Sequence, residues 1–280
     1  MSKIKILIPT DFSVQSEYAF VLAKRLEEKI PLDIHFLHVL QVPDTVTMDP
    51  SGAIVTCGDI DAGFVEQQKT IALRKLDEIH QQNKGSVSTH LRLGKLTDEI
   101  TSFAHNHGFH MIVMGTKGAW GLQEKLSGSE TQVVARYSEI PVLSLMCDRS
   151  ELQIRNLLLV HDFSNPAHED LSMVRLISQS FNARIHLMQV IEEGIDRNII
   201  SANMDRFANL NELNNYETHL IADKDVEAGV IHFNQMHNMD LVCIGSYGRK
   251  GLGRIMHNSA TEKLINHLYK PILTFHLNHA

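Results

Sequence analysis

The chain repeats itself. The run Ile6–Ser13 (ILIPTDFS) returns as Leu157–Ser164 (LLLVHDFS), and Ile34–Val39 returns as Ile185–Val190, both at an offset of 151 residues. Further on, Met111–Gly115 returns as Leu241–Gly245 and Pro141–Leu143 as Pro271–Leu273, both now at an offset of 130. The drop from 151 to 130 gives the first copy 21 extra residues between Val39 and Met111, which fit a loop over Gln41–Gly63, rich in Asp, Pro, Gly and Thr. A repeat of this length fixes the architecture before any motif is invoked, because each copy must be one self-similar folding unit. The 280 residues thus divide into domains at 1–148 and 152–280, with Glu151–Arg155 as the linker.

Each copy opens with a short apolar run bounded by turn residues, the pattern of a buried strand. Apolar positions at helical spacing follow: Ala19, Leu22, Ala23 and Leu26, answered by Leu171, Val174 and Ile177. In the first copy this predicts strands near 4–9, 33–39, 87–93, 110–115 and 141–146, and helices near 15–29, 64–82, 97–107 and 129–137. The second copy carries the same order with a shortened second helix within 199–213. Strands that are apolar throughout belong to parallel sheets covered on both faces, so the expected fold class is α/β, with two tandem doubly wound domains on parallel five-stranded sheets. The final strands, Val142–Met146 and Ile272–His276, fall at sheet edges. Pairing them would join the halves as an internal pseudo-dimer and remove two exposed edges.

Composition narrows the function classes. A hydrophobic fraction of 43% with 21% charged residues is that of an ordinary globular chain. No apolar run approaches the ~18 residues of a membrane span. The apolar start ends at Pro9 and Asp11, too early for a secretory leader, so the cytoplasm is the expected location. The net charge of −7 is shared by both halves and leaves no basic stripe for nucleic acid. Cys57, Cys147 and Cys243 form no C-x-x-C pair, which argues against a disulfide framework or a cysteine-based zinc site.

In a doubly wound sheet, ligands bind beyond the carboxyl ends of the strands where the strand order reverses. The segments there are Asp11, the stretch from Val39, and the loop from Gly115. That loop reads Gly115-Thr116-Lys117-Gly118, nine residues, then Gly128-Ser129 ahead of a helical run. Glycines allow close backbone approach, and a helix N-terminus offers unpaired N–H donors to an anion. The glycines could equally serve only the turns, and Asp11 or Ser13 could serve only to cap the first helix. The second copy repeats the spacing as Gly245-Ser246-Tyr247-Gly248, nine residues, Asn258-Ser259.

With the strand ending in Pro9–Ser13, His38–Val39, the spaced Gly115, Gly118, Gly128 and Ser129, and the Pro141–Leu143 strand, the chain resembles the universal stress protein family in its tandem form. The resemblance covers nearly the whole chain twice, and the glycine spacing is like that of the family's ATP-binding branch. It implies an ATP site, with Mg2+ as a companion of the phosphates, in which Asp11 and Val39 flank the adenine and Pro9 and Asp11 border the ribose. Met114, Gly115, Gly118, Gly128, Ser129 and Glu130 would line the ribose and phosphates. A second site would use Asp162, Val190, Gly245, Gly248, Asn258 and Ser259. Asn258 replaces a glycine there and Val160-His161 replace Pro9-Thr10, so that site is expected to be weak or empty, although Arg249, Lys250 and Arg254 lie nearby in sequence. The resemblance implies a stress-response role in which bound nucleotide tunes contacts with a protein partner that the sequence does not identify. Homodimer formation beyond the internal pairing stays open.

No Walker lysine, nucleophile elbow or kinase set is present, so retention of nucleotide is expected rather than turnover, with a nucleotide-free scaffold and a slow ATPase as the alternatives. Seventeen histidines are the one unusual count. His105, His107 and His110 lack ligand spacing and read as surface or loop residues, while His35 and His186, at equivalent strand positions, read as packing or hydrogen-bonding residues. No metal centre is expected.

Overall fold

The apolar runs become strands because each can bury both faces. A computed structural model describes residues 3–57, 60–116, 130–191, 196–246 and 255–277. The first copy runs β1 (Ile4–Pro9), α1 (Val14–Glu27), β2 (Leu32–Gln41), β3 (Val46–Met48), β4 (Ile54–Thr56), α2 (Ala62–Gln82), β5 (Ser88–Gly94), α3 (Leu96–Asn106), β6 (Met111–Gly115), α4 (Glu130–Tyr137) and β7 (Val142–Leu145). The second runs β8 (Asn156–Val160), α5 (Ser172–Phe181), β9 (Arg184–Ile191), α6 (Arg197–Leu210), β10 (Tyr216–Ala222), α7 (Val226–His237), β11 (Leu241–Ser246), α8 (Ile255–His267) and β12 (Ile272–His276).

The loop expected over Gln41–Gly63 is not all loop: β3 and β4 pair as a small antiparallel hairpin of their own. Their three-residue runs are too short to announce themselves by periodicity. The shortened second helix is α6, 14 residues against the 21 of α2. In the second copy the first helix also starts late, at Ser172. The preceding segment is tied down by the fully buried Asn211, whose Oδ1 accepts from Glu169 N–H and whose Nδ2 donates to Ala167 O.

The main sheet has ten strands in the order β10-β9-β8-β11-β12-β7-β6-β1-β2-β5. Within each copy all neighbours are parallel, and the copies join through an antiparallel β12–β7 pair. Leu143 lies opposite its own repeat-mate Leu273. On either side the hydroxyls of Ser144 and Thr274, another equivalent pair, donate to Ile272 O and Val142 O. The join therefore carries a local two-fold relation, reinforced between α4 and α8 by Gln132 Nε2 donating to Glu262 O at 2.6 Å and by an Arg136–Glu262 ion pair. Two apolar layers cover the sheet. One holds α1, α2, α5 and α6 and the other α3, α4, α7 and α8, and each runs across both halves.

Candidate functional site

In the first half the strand order reverses between β1 and β6, and a cavity of about 380 Å³ opens at their carboxyl ends. Of the residues singled out from sequence, Pro9, Asp11, Val39, Met114, Gly115 and Glu130 all line it. Gly118, Gly128 and Ser129 lie outside the described residues, as does Gly248.

The turn from β1 into α1 forms one wall. Phe12 sits at φ 63°, a conformation that costs a bulky side chain energy and persists only where neighbours hold it. Here Phe12 N–H donates to Thr10 Oγ1 at 3.0 Å, its ring packs on the His38 ring at 4.5 Å, and the Lys75 ammonium lies 4.8 Å from its centroid. Asp11 does not cap the helix. Its Oδ1 accepts from Ser13 N–H at 3.0 Å, and Ser13, at the N-cap position, makes no side-chain capping bond. The start of α1 therefore faces the cavity through Ser13, Gln15 and Ser16.

The β2 wall is Leu37, His38, Val39 and Gln41, with Leu96 and Ile100 of α3 beside it. His38 Nδ1–H donates to Thr10 O at 2.7 Å, and burial lowers its pKa from the usual imidazole value despite that bond, so it is neutral at pH 7. Gln41 reaches across to Glu130, Nε2 to Oε1 at 3.4 Å.

Gly115 ends β6 where α1 comes closest. A Cβ there would lie 2.1 Å from Gln15 O, so the glycine is required by helix–strand packing whether or not a ligand binds. Its carbonyl accepts from Thr131 Oγ1–H at 2.9 Å. Next to it, Thr116 is 3% exposed, and its hydroxyl finds no hydrogen-bond partner among the described residues. Buried hydroxyls are rarely left so, because the desolvation is uncompensated. Sequence reasoning passed over Thr116, although the second copy has a hydroxyl at the same position, Ser246.

This geometry suits a flat, largely apolar group against Val39, Ile100 and Met114, with hydroxyl and carboxylate partners at Thr116 and Asp11. The described lining contains two carboxylates, Asp11 and Glu130, and no Lys or Arg.

The second copy is built differently at the matching positions. Asp162 Oδ1 accepts both Ser164 N–H at 2.9 Å and Gln189 Nε2–H at 3.3 Å, while Gln189 Oε1 accepts from Phe163 N–H. Gln189 stands where the first copy has His38. Phe163 is fully buried, edge-on to Phe207 at 5.0 Å. Val190 packs under Gly229, and Gly245 lies against Leu277. Asn258 and Ser259 do not precede α8 but fall within it, because it starts at Ile255, ahead of the position equivalent to Glu130.

The histidines sort by the same repeat. His35 and His186 each contact a histidine on the neighbouring strand, His90 and His219, at 2.9 Å between ring nitrogens. His107 and His237 stack on Phe103 and Phe233. His105, His107 and His110 turn to different partners: Glu139, Phe103 O and Lys5 N–H. His105 thus has an acidic neighbour that sequence spacing did not reveal.

The fold is that of a tandem α/β protein with a crevice at the switch point of its first half. The chain belongs to the universal stress protein family, whose sequence profile matches residues 4–145 and 153–276. A universal stress protein of Methanocaldococcus jannaschii is 26% identical over 147 residues, covering 52% of this chain and 84% of its own length. The universal stress protein YxiE of Bacillus subtilis is 27% identical over 142 residues, 50% of this chain and 96% of its own. Among solved structures, a universal stress protein from Archaeoglobus fulgidus superposes with a TM-score of 0.74 at 20% identity, covering 98% of this chain and 96% of that one, which carries the tandem fold. No helix among the described residues is long and apolar enough to cross a membrane.

Proposed function

We propose that the first half of this universal stress protein retains an adenine nucleotide, ATP, in the crevice between β1 and β6, and that occupancy regulates contacts with a protein partner in the cytoplasm. The observation that carries this reading is the buried Thr116 hydroxyl, without a partner among the described residues, in the wall of a cavity whose other walls offer an apolar slot. Adenine would lie against Val39 and Ile100, with Asp11 and Pro9 toward the ribose. The triphosphate would extend to the Gly118, Gly128 and Ser129 loop, where Lys117 and Lys125 stand in the sequence and Mg2+ would offset the remaining charge. Retention is favoured over turnover because the sequence has no Walker lysine, nucleophile elbow or kinase set, and His38 already donates to a carbonyl. The second half would be the weaker site, since its Asp162 is engaged by Gln189.

A nucleotide-free scaffold is favoured by one observation, the steric need for Gly115. Denaturing the purified protein and identifying released nucleotide separates the readings. ATP in the supernatant, or a thermal shift with ATP and Mg2+ that Gly128→Val removes, supports the nucleotide reading. Neither release nor shift leaves the scaffold.

A further inference from the structure

The two halves carry the same pair of stacked histidines on neighbouring strands, but only one pair has a carboxylate on the shared side. In the second half Glu217 and His219 are two apart on β10 and so project from the same face of the sheet, and Glu217 lies opposite His186 of β9. Glu217 Oε2 is 3.7 Å from His186 Nδ1 and 4.0 Å from His219 Nε2, and those two nitrogens are 2.9 Å apart. Zinc bonds of ~2.0–2.2 Å in a tetrahedral arrangement hold neighbouring ligand atoms roughly 3.3–3.6 Å apart, within the range these three separations span. We propose that His186, His219 and Glu217 form a three-ligand site for a divalent cation of the zinc type, with the remaining position open to water or an outside ligand.

The surroundings favour a ligand set over a packing pair. His186 Nε2–H donates to Asn156 Oδ1 at 3.2 Å, which fixes the tautomer and leaves the Nδ1 lone pair toward the centre of the triangle. Metal-bound histidines characteristically have this outer partner. The protein is free of metal when His219 Nε2–H donates to that lone pair. Binding moves this proton to His219 Nδ1, so both nitrogens can bond to the metal with no net proton loss from the imidazoles. Glu217 is half-exposed at the end of the ten-stranded sheet, so a cation can enter without unfolding. Arg184 pairs with the other oxygen of Glu217, orienting the carboxylate.

The first half is an internal control. His35 and His90 keep the 2.9 Å contact, but Ser88 stands opposite His35 where the second half has Glu217. The carboxylate that is present, Asp33, lies 3.1 Å from the other nitrogen, His35 Nε2. The three donors therefore do not converge.

The test is calorimetric titration of Zn2+ into the chelator-treated full chain without nucleotide, with the visible absorption of bound Co2+ as a second reading of the same site. One equivalent is expected. Glu217→Gln and His219→Gln should weaken it at least ~tenfold, Asn156→Ala by ~10–100-fold, and His90→Gln not at all. Glu217 is half-exposed, so the Glu217→Gln chain should keep the wild-type thermal midpoint in chelator, and its loss of zinc is then loss of a ligand. No zinc binding by the wild type, or equal binding by wild type and Glu217→Gln, overturns the site, as does a loss in His90→Gln that matches that in His219→Gln. Nucleotide release from the same preparations reads the first-half crevice separately.

Discussion

Gly115 and Thr116 are adjacent, and the fold makes opposite demands on them. Gly115 touches the α1 backbone, and backbone cannot move aside cheaply, so Gly115→Ala should destabilise the protein by about 2 kcal/mol or more in denaturant unfolding. Gly245→Ala would meet the Leu277 side chain, the end of which can turn, and should cost less. Equal losses at the two positions would contradict this difference. Thr116→Val removes a buried hydroxyl without a partner among the described residues, so unfolding stability should hold or rise, while ATP affinity falls ~5- to 10-fold for one lost hydrogen bond. A drop in both would mean the hydroxyl is structural. Sequence could find Gly115, because glycine after a strand is visible as a pattern. It could not separate its packing role from a binding role, since only the distance to Gln15 does that. Thr116 was overlooked because a hydroxyl in a loop is unremarkable until its burial is known.

At the level of elements, the strands and helices were legible because buried parallel strands and amphipathic helices leave strong periodicities, and both copies left them. The β3–β4 hairpin and the late start of α5 were not, since the first rests on two three-residue strands and the second on bonds to Asn211 from 42 and 44 residues away. The β2–β5 and β9–β10 pairings were also hidden, and with them the partners of His35 and His186. This pairing has a consequence in acid. Burial, then the neighbouring His35, His107, Lys5 and Arg92, lower the His90 pKa from 6.5 to about 4. Above 6.5 the imidazole is neutral in both folded and unfolded chains and has no effect on stability. As pH falls from 6.5 toward 4, the unfolded chain takes up a proton that folded His90 refuses, so stability is lost across that window. The thermal midpoint of His90→Gln should therefore fall less than that of the wild type over this range. Parallel curves would assign the acid loss to other groups.

Across the whole molecule, the halves share one sheet and two apolar layers but not one site. The Leu143–Leu273 pairing at the centre of the join implies that the β7 edge is complementary to a copy of itself. A fragment of residues 1–148 should consequently self-associate as a dimer in sedimentation equilibrium, with β7 against β7, and a stable monomer would contradict that reading of the edge. The asymmetry matters more for function. His38 and a half-buried Phe12 leave the first crevice open at its wall, whereas Gln189 and a fully buried Phe163 tie the same turn shut against α6 in the second. The most direct measurement is a calorimetric titration of ATP and Mg2+ into the intact chain and its Thr116→Val variant. One equivalent per chain, weakened by the substitution, is the predicted result. No binding, or two equal equivalents indifferent to Thr116, would contradict a nucleotide held by the first half.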